Sequence, residues 1–245
     1  GREFVLSVYR YDLQFFVIYA VEEAHVRMTA GSVVNSHYLK KGEIKKISGS
    51  YVGSLVQFES SGDILVSKDG TGGDYVNLVP AAQTLFGTCS TVCYLVVFNA
   101  TGATITQECS DGSKKTYSGS NTYQIPDGGS QYTGIACKFT APAGVRISGH
   151  SWADADGGDG VSFLPPASFQ RVTPIPLDME FVKLISDQQA TCSANSEGAF
   201  TLQGANGVYT HRLTNIASGT VIKCSSPVQA FGDEKETDDE FQLIA

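Results

Sequence analysis

The chain has 245 residues, enough for one large β domain or two to three small ones. Its 17 Lys+Arg against 25 Asp+Glu leave a formal charge of −8, which argues against a nucleic-acid partner because phosphate binding needs clustered cations. The 26 glycines, 11 tyrosines and 13 phenylalanines beside 17% charged residues suit an all-β protein of short strands and tight turns.

Period-two alternation and short apolar runs bounded by Gly, Ser, Asn and Asp predict strands over residues 3–9, 14–19, 25–30, 42–47, 54–59 and 63–67. Within them Tyr9, Tyr11, Phe15, Phe16 and Tyr19 form an aromatic cluster suited to a sheet interior. Lys40, Lys41, Lys45 and Lys46 flank Gly42 and Glu43, as a charged hairpin at a sheet edge would. Residues 80–84 fit one helical turn. Strands follow at 93–98, 103–108, 122–125, 133–139 and 144–148, then a second helical turn at 165–169. The remaining predicted strands are 180–186, 199–203, 210–216, 221–224 and 227–231, and 233–240 is an acidic, solvated loop. No apolar run reaches the roughly 18 residues that span a bilayer, so no membrane insertion is expected within the chain. The first residue is Gly1, so removal of a leader or preceding region is expected.

The six cysteines are Cys89, Cys93, Cys109, Cys137, Cys192 and Cys224. Their spacing is not that of a zinc ribbon, and the four histidines are far apart in sequence, so a disulfide set in an oxidising compartment is expected. Cys109 with Cys137 and Cys192 with Cys224 have similar separations on predicted strands, which leaves Cys89 and Cys93 to close a small loop. Asn99-Ala100-Thr101 is a glycosylation sequon, consistent with secretion.

A pattern recurs three times. Asp74-Tyr-Val-Asn-Leu-Val-Pro80 is similar to Asp159-Gly-Val-Ser-Phe-Leu-Pro165, and Glu240-Phe-Gln-Leu-Ile244 falls in the same place after a third polar loop. The loops are 68–74, 154–160 and 233–240, each preceded by a short strand. The opening strands of the units are taken as 3–8, 93–98 and 180–185. The expected architecture is therefore all-β, with three tandem sandwich-like repeats of about 80 residues packed closely together, divided as 1–88, 89–175 and 176–245. Gly1-Arg-Glu-Phe-Val5, the repeated strand, polar loop and Leu-Pro corner, and Tyr132-Thr-Gly-Ile-Ala136 before Ala143-Gly-Val-Arg-Ile147 resemble the IgGFc-binding protein N-terminal domain family over almost the whole chain. The resemblance implies a secreted or cell-surface β-rich module of mucus-type, adhesive and matrix proteins. It brings no catalytic residue.

The stretch at 146–160, RISGHSWADADGGDG, holds the chemistry-bearing motifs. Gly149-His150-Ser151-Trp152-Ala153 is one residue from the G-x-S-x-G turn that presents a catalytic serine. That turn needs a following helix, which Gly157 and Gly158 would break, and a parallel α/β alternation that is missing. Ser151 is therefore read as a turn residue and the chain as a non-enzyme. Asp154, Asp156 and Asp159 look like the start of a calcium loop, but counting from Asp154 puts Gly158 and Pro165 where an EF-hand needs acids. No cofactor or metal is expected; a calcium site of another geometry, at these acids or at Asp69 and Asp74, is the alternative. Trp152, the only tryptophan, is either a plug in the core or a stacking platform beside acids that bond sugar hydroxyls.

The expected function is non-enzymatic extracellular binding or adhesion, recognising a protein or glycan through loops at the sandwich ends. The candidate ligand-binding residues are Trp152, Asp154, Asp156, Asp159, Asp69 and Asp74. A secreted immune or host-directed effector is the alternative, and a glycan-acting hydrolase is third, needing a carboxylate pair that sequence cannot show.

Overall fold

Along β3 (Ala24–Ala30) the side chains alternate in and out: Ala24, Val26, Met28 and Ala30 are buried, while His25 and Arg27 face solvent. This period of two runs through a computed structural model that describes residues 1–7, 15–49, 51, 54–69, 75–88, 92–98, 100–125, 135–152, 163–195, 198–234 and 240–243. The chain is all-β, and among the described residues the only helical element is a 3-10 turn at Pro166–Ser168.

The first sandwich pairs two sheets. β1 (Glu3–Ser7), β6 (Leu55–Ser60), β3 and β4 (Val33–Leu39) form one, in the order β1-β6-β3-β4. β5 (Ile44–Ser48), β2 (Phe15–Ala20), β7 (Ile64–Asp69) and β8 (Tyr75–Asn77) form the other, in the order β5-β2-β7-β8. Phe4, Val26, Met28 and Phe58 from the first sheet meet Phe16, Ile18, Ile64 and Val66 from the second in one core. The expected lysine hairpin lies at an edge, where β5 flanks β2 and the Lys46 ammonium sits 3.3 Å from the Phe15 ring centre.

The same strand order recurs. β9 (Thr84–Thr88), β14 (Ala136–Thr140), β11 (Thr104–Cys109) and β12 (Lys114–Ser118) repeat the pairing of β1-β6-β3-β4. β13 (Asn121–Ile125), β10 (Val92–Phe98) and β15 (Arg146–Trp152) repeat that of β5-β2-β7. In the third sandwich β16 (Gln170–Pro174), β22 (Val221–Glu234), β18 (Thr191–Ala194) and β19 (Gly198–Thr201) take the first role. β21 (Val208–Ile216), β17 (Met179–Ser186), the far half of β22 and β23 (Glu240–Leu243) take the second, with β20 (Gln203–Ala205) beyond β21.

β22 serves both sheets. Two strands were expected at 221–224 and 227–231, but one 14-residue strand runs through. It pairs with β16 and β18 up to Val228 and with β17 from Gln229 onward. Pro227 sits at the crossover, where no ladder asks for its missing N–H.

Several expectations need correction. Residues 80–84 are not helical: Ala82 is extended and exchanges hydrogen bonds with Ile147. The divisions after 88 and 175 leave β9 and β16 on the earlier side, whereas their ladders run forward to β14 and β22. By pairing, β2 and not β1 is the counterpart of β10 and β17. β4, β8, β9, β12, β16, β18, β20 and β23 were not expected as strands. Most are short or lie at edges; in β12 only Tyr117 is buried, so no apolar alternation marks it.

Successive sandwiches are packed together. Val5, Tyr94 and Val96 are buried although none belongs to the core of its own sandwich. β1 lies against β10 and β15, with the Ser148 hydroxyl donating to the Val5 carbonyl and Arg146 bonding Glu3 at 2.8 Å. Between the second and third sandwiches, Phe86, Ala136, Leu164, Phe169, Ile185, Val208 and Phe231 make a separate apolar cluster.

Candidate binding site

The stretch that resembled a nucleophile turn is a strand. β15 runs from Arg146 to Trp152, past the expected end at Ser148, and keeps an unbroken ladder with β10 in which Cys93 faces Ser151 and Val92 faces Trp152. No turn occurs at Ser151, so the expectation that it is a turn residue is corrected.

Gly149 has a different reason to be glycine. A Cβ there would lie 2.1 Å from Cδ2 of Phe163, and one at Gly87 would lie 2.0 Å from Cδ1 of the same ring. The Phe163 ring is held between two strand backbones and stacks on Phe139 at 5.4 Å and 8°. It is 2% exposed. Both glycines are required by that close approach.

The strands that flank the three polar loops are equivalent. One joins β7 to β8 and another joins β22 to β23, in each case connecting a strand to the short strand added at its edge. In the second sandwich the Phe163 N–H donates to the Gly149 carbonyl at 2.7 Å, so the chain returns to β15 after its loop in the same way. Of the candidate ligand residues, Asp69 ends β7, its backbone in register with Phe15 and Tyr75, and Trp152 ends β15. Asp74, Asp154, Asp156 and Asp159 lie outside the described residues, as do Asn99 and Cys89. No group of three metal-ligating side chains occurs among the described residues.

Two disulfides join the expected partners, Cys109 to Cys137 and Cys192 to Cys224. Each crosses one antiparallel ladder, β11 to β14 and β18 to β22, at directly opposed positions. The corresponding ladder of the first sandwich, β3 to β6, carries Met28, Ala30, Val56 and Phe58 instead. Cys93 is also disulfide-bonded, and no described cysteine is free. Beside the first bridge, the Gln107 amide donates to Cys109 Sγ at 3.2 Å and to Cys137 Sγ at 3.4 Å, while its carbonyl accepts from the Tyr117 hydroxyl.

Polar anchors also cross the junction of the second and third sandwiches. The Lys183 ammonium donates to Thr88 Oγ1 at 2.6 Å, and that hydroxyl donates to the Ile135 carbonyl at 2.8 Å. Lys183 is only 4% exposed. Lys138 bonds Glu108 at 2.8 Å and the Asn206 carbonyl at 3.1 Å, and the Asn206 side chain donates to the Cys109 carbonyl. Hydrogen bonds from Lys114 and then Lys138 hold the Glu108 carboxyl below its ordinary range. Elsewhere, burial and then the Lys45 charge lower His37, and a hydrogen bond with Glu23 raises Tyr38.

Sequence reasoning passed over Lys183 and Asn206, though both left a signal. A single cation inside Phe181-Val-Lys-Leu-Ile185 contradicts its apolar surroundings unless a partner waits there. Asn206-Gly207, with φ of 55° and 69°, is the favoured two-residue hairpin turn, and it carries the anchoring tip between β20 and β21.

Compared with known proteins, the chain matches no family model, no curated protein and no solved structure.

Proposed function

We propose that the chain is a non-enzymatic extracellular binding module, recognising a protein or glycan partner through the loops at 68–74, 154–160 and 233–240. The observation that carries this reading is the common pairing around the three loops, where the described chain after each loop bonds back to the edge of the strand before it. Rigid ladders hold the loop ends, so loop composition can change at little cost to the core. The disulfides support an oxidising, extracellular setting. No helix of the described residues is long and apolar enough to cross a membrane. The resemblance to the IgGFc-binding protein N-terminal domain family belongs to the same proposal.

At the second loop, Trp152 at the end of β15 supplies an apolar platform and Asp154, Asp156 and Asp159 supply hydrogen-bond acceptors, a combination suited to a sugar or to a basic protein surface. The test is Trp152→Ala combined with Asp154→Ala, measured by ligand binding and melting temperature. Weaker binding at an unchanged melting temperature supports the proposal. A large drop in melting temperature makes Trp152 a core residue and moves the binding face elsewhere.

A further inference from the structure

β4 is the outermost strand of the sheet β1-β6-β3-β4. The Ser61 N–H donates to the His25 carbonyl, and the His25 N–H donates to Ser61 Oγ, so His25 turns its backbone groups away from β4. Its ladder partner Tyr38 is therefore a non-hydrogen-bonded position of the β3-β4 pair and turns its own N–H and carbonyl to the outer edge. The same alternation puts the backbone groups of Ser36 and Val34 on that edge. Among the described residues, no strand pairs with it.

The equivalent edges of the other two sandwiches are β12 and β19. β12 carries Lys114 and Lys115, and β19 is only four residues long and begins at a glycine. Edge lysines and short edge strands keep a sheet from pairing with another chain. β4 has neither device. It runs for seven residues, Val33-Val-Asn-Ser-His-Tyr-Leu39, without a lysine, arginine, carboxylate or proline. On its outer face Val34 is 51% exposed and Tyr38, in ring contact with His25 at 4.9 Å, is 48% exposed.

The strand also reads alike in both directions about Ser36. Two apolar residues stand at each end, and the polar Asn35 and His37 flank the centre. An antiparallel copy centred on Ser36 sets Val34 opposite Tyr38, Asn35 opposite His37 and Val33 opposite Leu39. In that register the outward backbone groups of Val34, Ser36 and Tyr38 all meet counterparts in hydrogen-bonded pairs. Self-complementarity of this kind is what a two-fold axis requires.

We infer that β4 pairs with β4 of a second copy of this chain, in an antiparallel ladder centred on Ser36. The two four-stranded sheets become one continuous sheet across the axis. The contact uses the same edge on both copies, so it closes at a dimer.

Sedimentation velocity of the full chain over rising concentration tests the inference, with Ser36→Lys and Ser36→Glu as variants at an exposed position and circular dichroism as the check on folding. The wild-type chain should show a monomer–dimer equilibrium with no larger species. Each variant alone sets like charges opposite one another at the axis and should weaken dimerisation at least tenfold. An equimolar mixture of the two should restore it, because lysine then faces glutamate. Ser36→Pro removes one outward N–H where the β3-β4 ladder needs none, and should give a monomer that melts with the wild type. A wild-type chain that stays monomeric or grows beyond a dimer overturns the inference. So does a dimer that forms equally well in the folded variants and in their mixture.

Discussion

Replacing Gly149 by alanine adds one methyl group where no room exists. The new carbon would stand 2.1 Å from Cδ2 and 2.7 Å from Cε2 of Phe163, well inside van der Waals contact. The ring cannot retreat, because the Gly87 backbone, where an added Cβ would lie 2.0 Å from Cδ1, closes the other side and Phe139 stacks on it. Overpacking of this kind costs about 1–3 kcal/mol, and the two-sided confinement puts Gly149→Ala at the upper end. At this chain length each kcal/mol moves the melting temperature by about 2–4 °C, so a fall of about 6–12 °C is expected. Phe163→Ala removes the ring and should cost about 3–5 kcal/mol. In that background Gly149→Ala should cost almost nothing, because the clash has gone. A double-mutant cycle by urea denaturation therefore gives a coupling of about 3 kcal/mol between the two sites. Additive effects, or a Gly149→Ala chain that melts with the wild type, would refute the claim that the glycine exists to seat Phe163.

Other outcomes follow from the same structure. Cys109→Ala/Cys137→Ala and Cys192→Ala/Cys224→Ala each release a loop, of 28 and 32 residues, and should each cost about 3–4 kcal/mol in denaturant titrations. Glu108 has a lowered pKa in the folded chain, so its contribution is complete above the ordinary carboxylate value of 4.5 and is lost as pH falls below it. Glu108→Gln should therefore flatten the stability profile on the acid side, and an unchanged profile would remove Glu108 as the cause. Ser151→Ala should fold and bind as the wild type does, and a fluorophosphonate probe should leave Ser151 unlabelled; stoichiometric labelling would revive serine chemistry.

The all-β class was legible because long core strands such as β3 and β10 alternate or are continuously apolar, and neither pattern supports a helix. The two disulfide pairings were legible because equivalent strands carry the cysteines at similar separations. What the sequence hid has physical causes. Phe4-Val5-Leu6 is apolar on both faces because Val5 is covered by the next sandwich, so β1 looked like the central strand that β2 in fact is. β4 and β12 leave most side chains in water and lack the alternation that marks a half-buried strand. Gly149 beside a serine imitated a catalytic turn, and only Phe163, arriving from beyond the loop, accounts for it. The candidate ligand residues were chosen for loop chemistry, and the strands around them show where the loops leave and return.

The most direct test of the binding proposal is a glycan and extracellular-protein array probed with the intact chain and with a variant in which the loop residues 70–74, 154–160 and 235–239 are replaced by Gly-Ser segments of equal length. The account predicts a discrete set of bound partners for the intact chain and loss of that set in the variant at an unchanged melting temperature. Equal binding by both chains would contradict it.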